Sequence, residues 1–500
     1  MSRQPVVRLG RDTVTGVHQD GVAVFRGIPY AAAPVGPDRF TAPRPATWSG
    51  PFDATRFGPT APQARPRVPG APDVSAFIGP GWIRGDDYLN LNVWTPDPAA
   101  GGLPVLVFVH GGAFVNGAGL TAGNDGTRFA RGGVVVVTIN YRLGVPGFLR
   151  LPGAPDNRGL LDQVAALRWV AEHIAAFGGD PGTVTVSGQS AGAMSVAALL
   201  AAAPPGLFRR AISESGGASH ALTPEQADLV TSAVAANLGV PATPAALAKV
   251  DADAIAETPL RLAAVPPDLA ATGVRDPQLG LTKFAPVVDG ELLTGQPLEA
   301  IAAGSAAGVE VLAGTNADEM NLYRIAMPAP PVSEESLRTT VAGLHPDPDA
   351  LIESYRRHGR GSTPVEVLSA IGTDYLFAVP TARFTDAHAA ARGRTWRYEF
   401  TWRSPAHDGR LGACHGSELP FVFGTLGRAN FDLLGLEHPG EAEHALSEAT
   451  HAAWVSFIRD GDPGWPRHTP DEPAVQRIGP EWTVTTHADG PERELWKGVR

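Results

Sequence analysis

A serine between two glycines follows a run of alternating β-branched residues in TVTVSGQSAGAMSVAALL (residues 183–200). Where a strand turns abruptly into a helix, the residue at the turn is strained and side chains two positions away would collide. Gly188 and Gly192 remove that collision. The pattern therefore predicts that the Ser190 hydroxyl stands clear of a sheet edge, at a helix N-terminus that favours negative charge. The alternative is that Ser190 only caps the helix.

A serine nucleophile needs a histidine base and an acid that orients the imidazole. On such a sheet the chain order is serine, acid, histidine. His415 is our candidate base, because it lies between small residues just after a strand-like segment. The strand VEVLAGTN delivers Asp318 and Glu319 together, and either acid fits the orienting role on residue type alone. We expect the other downstream histidines to lie on the surface: His345, His358, His407, His438, His444 and His451.

Attack on an acyl carbonyl also requires hydrogen-bond donors for the oxyanion that develops. The segment VFVHGGAFVNG (residues 107–117) contains Gly111, Gly112 and Ala113, whose side chains are too small to block their backbone amides. Ala191, directly after the serine, adds a further amide. These residues predict an oxyanion site.

Strand-like runs alternate with amphipathic helices along most of the chain, which favours an α/β fold with a mostly parallel sheet. The clearest helix is expected at GLLDQVAALRWVAEHIAAFGGDP (residues 159–181). We expect an antiparallel, helix-free lead-in up to about residue 50 and a surface loop over residues 59–73. The predicted strands are VAVFRGIPY, LNLNVWTP, PVLVFVHGG, VVVVTINYR, TVTVSG, RAISESGG, VEVLAGTN and RTWRYEFTW.

Composition limits the possible partners. The net charge is −11 and the arginines are scattered, so we expect neither a nucleic-acid nor a membrane partner. Cys414 is the single cysteine, which excludes an internal disulfide and agrees with a cytoplasmic location. No Cys/His cluster has metal-ligand spacing, and GAGLTA (residues 117–122) begins too far after its strand for a dinucleotide site. We predict neither a metal nor another cofactor.

The sequence resembles the type-B carboxylesterases of the esterase/lipase/cholinesterase group, most of all the bacterial p-nitrobenzyl-esterase-type members. The resemblance implies one α/β-hydrolase domain over residues 1–500, with helical insertions over the active site at roughly 220–280 and 320–390. The stretches that carry it span most of the chain: FRGIPYAAAPVGPDRF, DDYLNLNVWTP, HGGAF, NYRLGVPGFL, DNRGLLDQVAALRWVAEHIAAFGGDP, VSGQSAGA, GLFRRAISESGG, FAPVVDGELL, GTNADEMNLY and GACHGSELPFVFG.

The resemblance also implies residue roles. The triad would be Ser190, Glu319 and His415, with Glu319 chosen over Asp318 because it fills the family's acid position. The oxyanion amides would be those of Gly112, Ala113 and Ala191, and the supporting residues Gly111, Gly188, Gln189, Gly192 and Ser215. The implied activity is hydrolysis of small-molecule carboxylic esters through an acyl-enzyme, in a monomer or weak homo-oligomer.

Three positions depart from the family pattern. Gln189 stands where the family usually has glutamate, which removes a negative charge and disfavours cationic esters. Tyr88 replaces a disulfide cysteine, and Met320 replaces a glycine after the acid. Two alternatives stay open at this point: a catalytically inactive adhesion or scaffold relative, and an amidase or lipase using the same site.

Overall fold

The computed structural model describes residues 4–47, 50–64, 72–327, 331–486 and 490–500. Within these ranges the strands are β1 Val6–Leu9, β2 Asp12–Thr15, β3 Val17–Gln19, β4 Val22–Pro29, β5 Phe52–Asp53, β6 Asn90–Thr95, β7 Leu103–Val109, β8 Val135–Ile139, β9 Gly179–Gln189, β10 Arg210–Glu214, β11 Glu310–Asn316, β12 Thr395–Phe400, β13 Val475–Ile478 and β14 Thr483–Thr485.

The α-helices of the same ranges are α1 Ser75–Ile78, α2 Thr127–Arg131, α3 Gly144–Phe148, α4 Arg158–His173, α5 Ala191–Ala202, α6 Pro224–Leu238, α7 Pro244–Leu247, α8 Ala252–Ala264, α9 Pro297–Ala302, α10 Glu334–Ala342, α11 Pro348–Arg357, α12 Pro364–Thr373, α13 Val379–Ala390, α14 Leu419–Val422 and α15 Glu441–Asp460. π-helical turns lie at Leu322–Ala326 and Asp374–Ala378. 3-10 turns lie at Gly36–Phe40, Ala122–Asn124, Ile174–Phe177, Leu269–Thr272, Asp432–Leu434 and Pro491–Glu494.

Most of the strands form one mixed sheet in the order β14-β13-β12-β11-β10-β9-β7-β8-β6-β4-β3. The strands from β13 to β8 are parallel, and the pairs beyond them at both edges are antiparallel. The central strands are buried along most of their length, as expected when helices cover both faces. This arrangement confirms the predicted fold class.

The carboxyl ends of the parallel strands meet at one edge of the sheet. Gln189 at the end of β9 is in register with Glu214 at the end of β10, and Glu214 is in register with Gly314 of β11. Val109, the last residue of β7, pairs with Gly188. The chain segments after β7, β9 and β11 therefore leave the sheet side by side.

All eight predicted strands are present, and the predicted helix begins as α4 and ends in the 3-10 turn before Gly178. The described part of the first 50 residues contains strands and a 3-10 turn but no α-helix, as expected. Strands β13 and β14 were not predicted, because they contain only 4 and 3 residues. Of the loop predicted over residues 59–73, residues 65–71 lie outside the described residues.

Helices α6 to α8 lie between β10 and β11, and α10 to α13 lie between β11 and β12. In sequence these two groups fall within the insertions expected at 220–280 and 320–390. That they cover the active site of a single domain stays a prediction. In the described part of the chain, every helix is too short or too polar to cross a membrane.

A buried ion pair fixes the segment after β8 to α4. Arg142 Nη2 and Nε donate to the Asp162 carboxylate at 2.7 and 2.8 Å, and both side chains are fully buried. Arg142 also donates to the carbonyls of Arg39 and Thr41. The adjacent Tyr141 hydroxyl donates to His110 O at 2.9 Å, so this pair supports the loop that follows β7.

We predict that Asp162→Asn lowers the free energy of unfolding by about 3–5 kcal/mol, because Arg142 is left as a buried, uncompensated charge. Urea-induced unfolding measures the change. Asp349→Asn is the matched control, since it breaks the exposed Arg338–Asp349 pair and changes the same quantity by less than about 1 kcal/mol. A loss at Asp162 no larger than that of the control contradicts the prediction.

Candidate active site

Ser190 lies at the turn between β9 and α5 with an unusual backbone conformation, φ 58° and ψ −123°. A positive φ costs a residue with a side chain about 1–3 kcal/mol, so surrounding contacts must hold it in place. The Ser190 amide donates to Glu214 O at 2.8 Å, and Ser190 O accepts from Met194 N at 2.9 Å. The turn presents the side chain at the carboxyl end of the sheet.

Three glycines allow the backbone to close around this turn. A Cβ at Gly188 would lie 2.4 Å from the Gly192 carbonyl, and one at Gly192 would lie 2.0 Å from Val109 O. A Cβ at Gly111 would lie 3.1 Å from Ser190 Cβ. The loop after β7 and the start of α5 therefore pack directly against the serine, at a separation that only glycine permits.

The amides of Gly112, Ala113 and Ala191 donate to no acceptor among the described residues. Gly112 and Ala113 have φ angles of 112° and 54°, a conformation that turns the chain back after β7. Ala191 opens α5, where the first amides of a helix have no partner within the helix. These three amides are available to a developing negative charge.

His415 and Glu319 form a buried pair. His415 Nδ1 lies 2.6 Å from Glu319 Oε2, and Glu319 is completely buried. The other carboxylate oxygen, Oε1, accepts from Asn316 N at 2.8 Å. Because Nδ1 donates to the carboxylate, Nε2 of the neutral imidazole carries the lone pair and can accept a proton.

Asp318 and Glu319, which are neighbours in the sequence, have different partners in the structure. Asp318 Oδ2 accepts from Ala413 N at 3.0 Å and lies 3.2 Å from Arg403 Nη1. Asp318 therefore holds the segment that leads into His415, whereas Glu319 contacts the imidazole itself.

Gln189 forms a hydrogen bond with Nε2 of His415, the nitrogen that can accept a proton. Its Nε2 lies 3.3 Å from His415 Nε2, so the amide donates to the lone pair of the imidazole. The Ser190 hydroxyl has no hydrogen-bond partner among the described residues. In this state the histidine is bound to Gln189 and not to the serine.

Aromatic rings on both π-helical turns contact His415. The centroid of Phe377 lies 4.7 Å from that of the imidazole, and the centroid of Tyr323 lies 5.6 Å from it. Neither ring was predicted from the sequence, because π-helical turns have no recognisable sequence pattern.

Two buried carboxyl groups near the pair were also missed. Glu214 accepts from Trp454 Nε1 at 2.9 Å, and Glu418 accepts from Asn316 Nδ2 at 2.5 Å. Burial, and then Glu418, raise the pKa of Glu214 well above its usual range. Burial, and then Glu319, raise the pKa of Glu418 to about 7. The available signal was an acid at the border of an apolar segment, as in AISESGG and SELPFVFG.

Ser215, expected as a supporting residue, directly follows β10 with a φ of 59°. Its amide donates to Gly314 O at 2.8 Å. Its buried hydroxyl has no partner among the described residues, and its peptide connects β10 to β11 beside the serine turn.

The expectation that the other downstream histidines lie on the surface was partly wrong. His345 and His451 are buried and bind backbone carbonyls, those of Leu495 and Val422 among them. Burial lowers the pKa of His451 to about 4. Helical position suggested exposure, but packing between α15 and α14 buries this side chain. Four are exposed: His358, His407, His438 and His444.

No group of three or more His, Cys, Asp or Glu side chains in the described ranges has an arrangement that could hold a metal ion.

We predict that Glu418 makes the fold less stable as the pH rises. The folded protein keeps this proton up to about pH 7, whereas an unfolded chain releases it near 4.5. The folded state therefore binds more protons between these values, and the free energy of unfolding falls by up to about 3 kcal/mol across the window. Glu418→Gln should make the fall smaller by this amount, measured by urea unfolding at pH 4.5 to 8. Glu214, whose pKa is also raised, keeps its own contribution to the slope in this variant.

Glu366→Gln is the control for this prediction. Backbone amides of Ser362 and Thr363 lower the pKa of Glu366 to about 2, so its contribution to stability is lost only at lower pH. This variant should keep the wild-type slope between pH 4.5 and 8. An unchanged slope in Glu418→Gln would show that Glu418 ionises normally in the fold.

Comparison with known proteins identifies the family. The model of the carboxylesterase family matches residues 3–496. The para-nitrobenzyl esterase of Bacillus subtilis (strain 168) is 37% identical, with 96% of each chain covered. The phenmedipham hydrolase of Pseudarthrobacter oxydans is 36% identical, again over 96% of each chain.

Solved structures agree with the sequence relatives. A PNB esterase structure matches with a TM-score of 0.81 and 35% identity, covering 99% of this chain and 100% of that one. The Geobacillus stearothermophilus carboxylesterase structure matches with a TM-score of 0.83 and 35% identity, covering 98% and 99%. This chain therefore belongs to the carboxylesterase family, has the α/β-hydrolase fold, and is a carboxylic-ester hydrolase.

Proposed function

We propose that Ser190, His415 and Glu319 form the catalytic triad, and that the amides of Gly112, Ala113 and Ala191 bind the oxyanion. The observation that carries this proposal is the buried contact of 2.6 Å between His415 Nδ1 and Glu319 Oε2. It fixes the imidazole tautomer that can act as a base, at the same sheet edge as the strained serine.

In the first step Ser190 Oγ attacks the ester carbonyl while His415 Nε2 accepts the hydroxyl proton. For this to happen the imidazole must exchange its contact with Gln189 for one with Ser190. Such catalytic hydrogen bonds often form only with substrate bound. The Glu319 carboxylate stabilises the imidazolium that results.

The carbonyl oxygen becomes negative as the tetrahedral intermediate forms, and the three free amides are the donors for it. Loss of one such donor typically costs about 3 kcal/mol of transition-state stabilisation. His415 then protonates the leaving alcohol, and the acyl group remains on Ser190. Water repeats the sequence with the acyl-enzyme, releasing the acid and the free serine.

We propose small, uncharged carboxylic esters as substrates. Gln189 places a neutral amide beside Ser190, and the rings of Phe377 and Tyr323 make the surroundings of His415 apolar. Cationic alcohol groups would find no exposed carboxylate at this position, since Glu319 is fully buried and bonded.

The domain organisation, oligomeric state, partners and location are proposed from the sequence. Residues 1–500 would form one domain with helical insertions over the site, acting as a monomer or weak homo-oligomer without a nucleic-acid or membrane partner. The scattered arginines and the net charge of −11 support the absence of a nucleic-acid or membrane partner. A cytoplasmic location is supported by the single, buried Cys414.

We predict that Ser190→Ala abolishes turnover of p-nitrophenyl acetate while the fold is retained. An organophosphate should label the wild-type protein once, at Ser190, as identified by mass spectrometry of peptides. The physical reason is that the hydroxyl supplies the only nucleophile of the acyl-transfer step.

Ser195→Ala is the matched control, because it removes another buried hydroxyl from the same helix, five residues after Ser190. Its turnover should remain close to wild type. Appreciable turnover by Ser190→Ala would refute the triad. A wild-type protein that takes no label would instead match the inactive adhesion or scaffold relative.

A further inference from the structure

The π-helical turn Asp374–Ala378 brings a phenylalanine ring onto the imidazole of His415. Phe377 is buried, its ring centroid lies 4.7 Å from that of His415, and the two planes differ by 34°. At this distance and tilt the two rings are in direct contact. Phe377 therefore restricts rotation of the imidazole, which Glu319 holds only at Nδ1.

π-helical turns are rare and are often found at functional sites. In the described part of this chain there are two, Leu322–Ala326 and Asp374–Ala378. Both carry an aromatic ring that contacts His415, Tyr323 on the first and Phe377 on the second. Simple core filling does not explain why both irregular turns converge on one imidazole.

Side chains from distant parts of the chain hold the second turn by its carbonyls. Arg500 Nε donates to Tyr375 O at 2.9 Å, and its guanidinium carbon lies 4.7 Å from the centroid of the Tyr375 ring. His220 Nε2 lies 2.8 Å from Leu376 O. Burial lowers the pKa of His220 to about 3, so the ring is neutral and carries one N–H. Nδ1 lies 3.1 Å from Gly217 O, and the shorter contact of Nε2 assigns the proton to Nε2.

Arg500 connects the turn to two further segments. Its Nη1 donates to Ser219 O and its Nη2 to Pro277 O, both at 2.9 Å. The residue is partly exposed, but its guanidinium is surrounded by protein, and this desolvation lowers its pKa. Three carbonyls from three segments thus fix the position of the residues that precede Phe377.

We propose that Phe377 is a positioning residue for the base His415, and that Arg500 and His220 act through it by holding the π-helical turn. The inference rests on the proposed function of His415. The ring limits the rotation of the imidazole, so that Nε2 passes from Gln189 to Ser190 without losing the contact of Nδ1 with Glu319. Once the imidazole is protonated, the aromatic ring stabilises the cation. The effect should be larger on the transition state than on substrate binding, so kcat should change more than KM.

The test compares Phe377→Leu, which keeps apolar bulk, with Phe377→Tyr, which keeps the ring. Rates of p-nitrophenyl acetate hydrolysis are divided by the number of sites that an organophosphate labels, so that misfolded protein does not count. We expect kcat per labelled site to fall about fivefold or more in Phe377→Leu, with KM within about twofold. Phe377→Tyr should recover most of the rate.

Arg500→Met tests the indirect part of the proposal and should lower kcat per labelled site without changing KM. Its matched control is Arg158→Met, because the Arg158 guanidinium also donates only to backbone carbonyls, four of them, and none belongs to the π-helical turn. The control should lower the unfolding temperature and leave kcat per labelled site unchanged. Should either arginine variant fail to fold, the comparison of Phe377→Leu with Phe377→Tyr still tests the positioning role of the ring.

A kcat per labelled site within twofold of wild type in Phe377→Leu overturns the proposal. Equal losses in Phe377→Leu and Phe377→Tyr also overturn it, since the ring would then not matter. Absence of labelling in the wild-type protein removes the proposed triad, and this inference with it. These outcomes separate a failure of the positioning role from a failure of the function.

Discussion

The site depends on one backbone constraint, the positive φ of Ser190 at the turn from β9 into α5. Such strain costs about 1–3 kcal/mol and persists only where neighbours over-determine it. Here the serine amide is bound by Glu214 O, and the backbone packs so closely that a Cβ at Gly188 or Gly192 would overlap it. The parallel sheet supplies the rest, because the ends of β7, β9 and β11 meet at the same edge.

Burial makes the electrostatics of this edge effective. The Glu319 carboxylate is removed from water, so its contact with His415 is stronger than an exposed pair would be. Asn316 connects two acids, since its backbone N–H donates to Glu319 and its side-chain Nδ2 donates to Glu418. Raised pKa values at Glu214 and Glu418 favour their neutral forms, which limits the negative charge buried around the His415–Glu319 pair. Because burial raises these two pKa values, the free energy of unfolding falls as the pH rises.

What the sequence could predict was local. Glycine spacing around Ser190, the small residues after β7 and the apolar strands each encode their structure within a few residues. Residues that meet across long separations were not predictable: Phe377 and Glu214 reach the site only through the packing of separate elements. Helical spacing also misled at His451, where α14 covers a face that the pattern leaves open. The choice of Glu319 over Asp318 needed the family resemblance, and the geometry places only Glu319 on the imidazole.

The most direct measurement is a crystal structure of the protein after reaction with a phosphonate that mimics the tetrahedral intermediate. We expect phosphorus bonded to Ser190 Oγ, with the phosphonyl oxygen about 2.7–3.1 Å from the amides of Gly112, Ala113 and Ala191. We also expect that His415 Nε2 has left Gln189 and points at the adduct. Phosphorus bonded to another residue, or an oxygen directed away from these amides, would show that this site does not act as proposed.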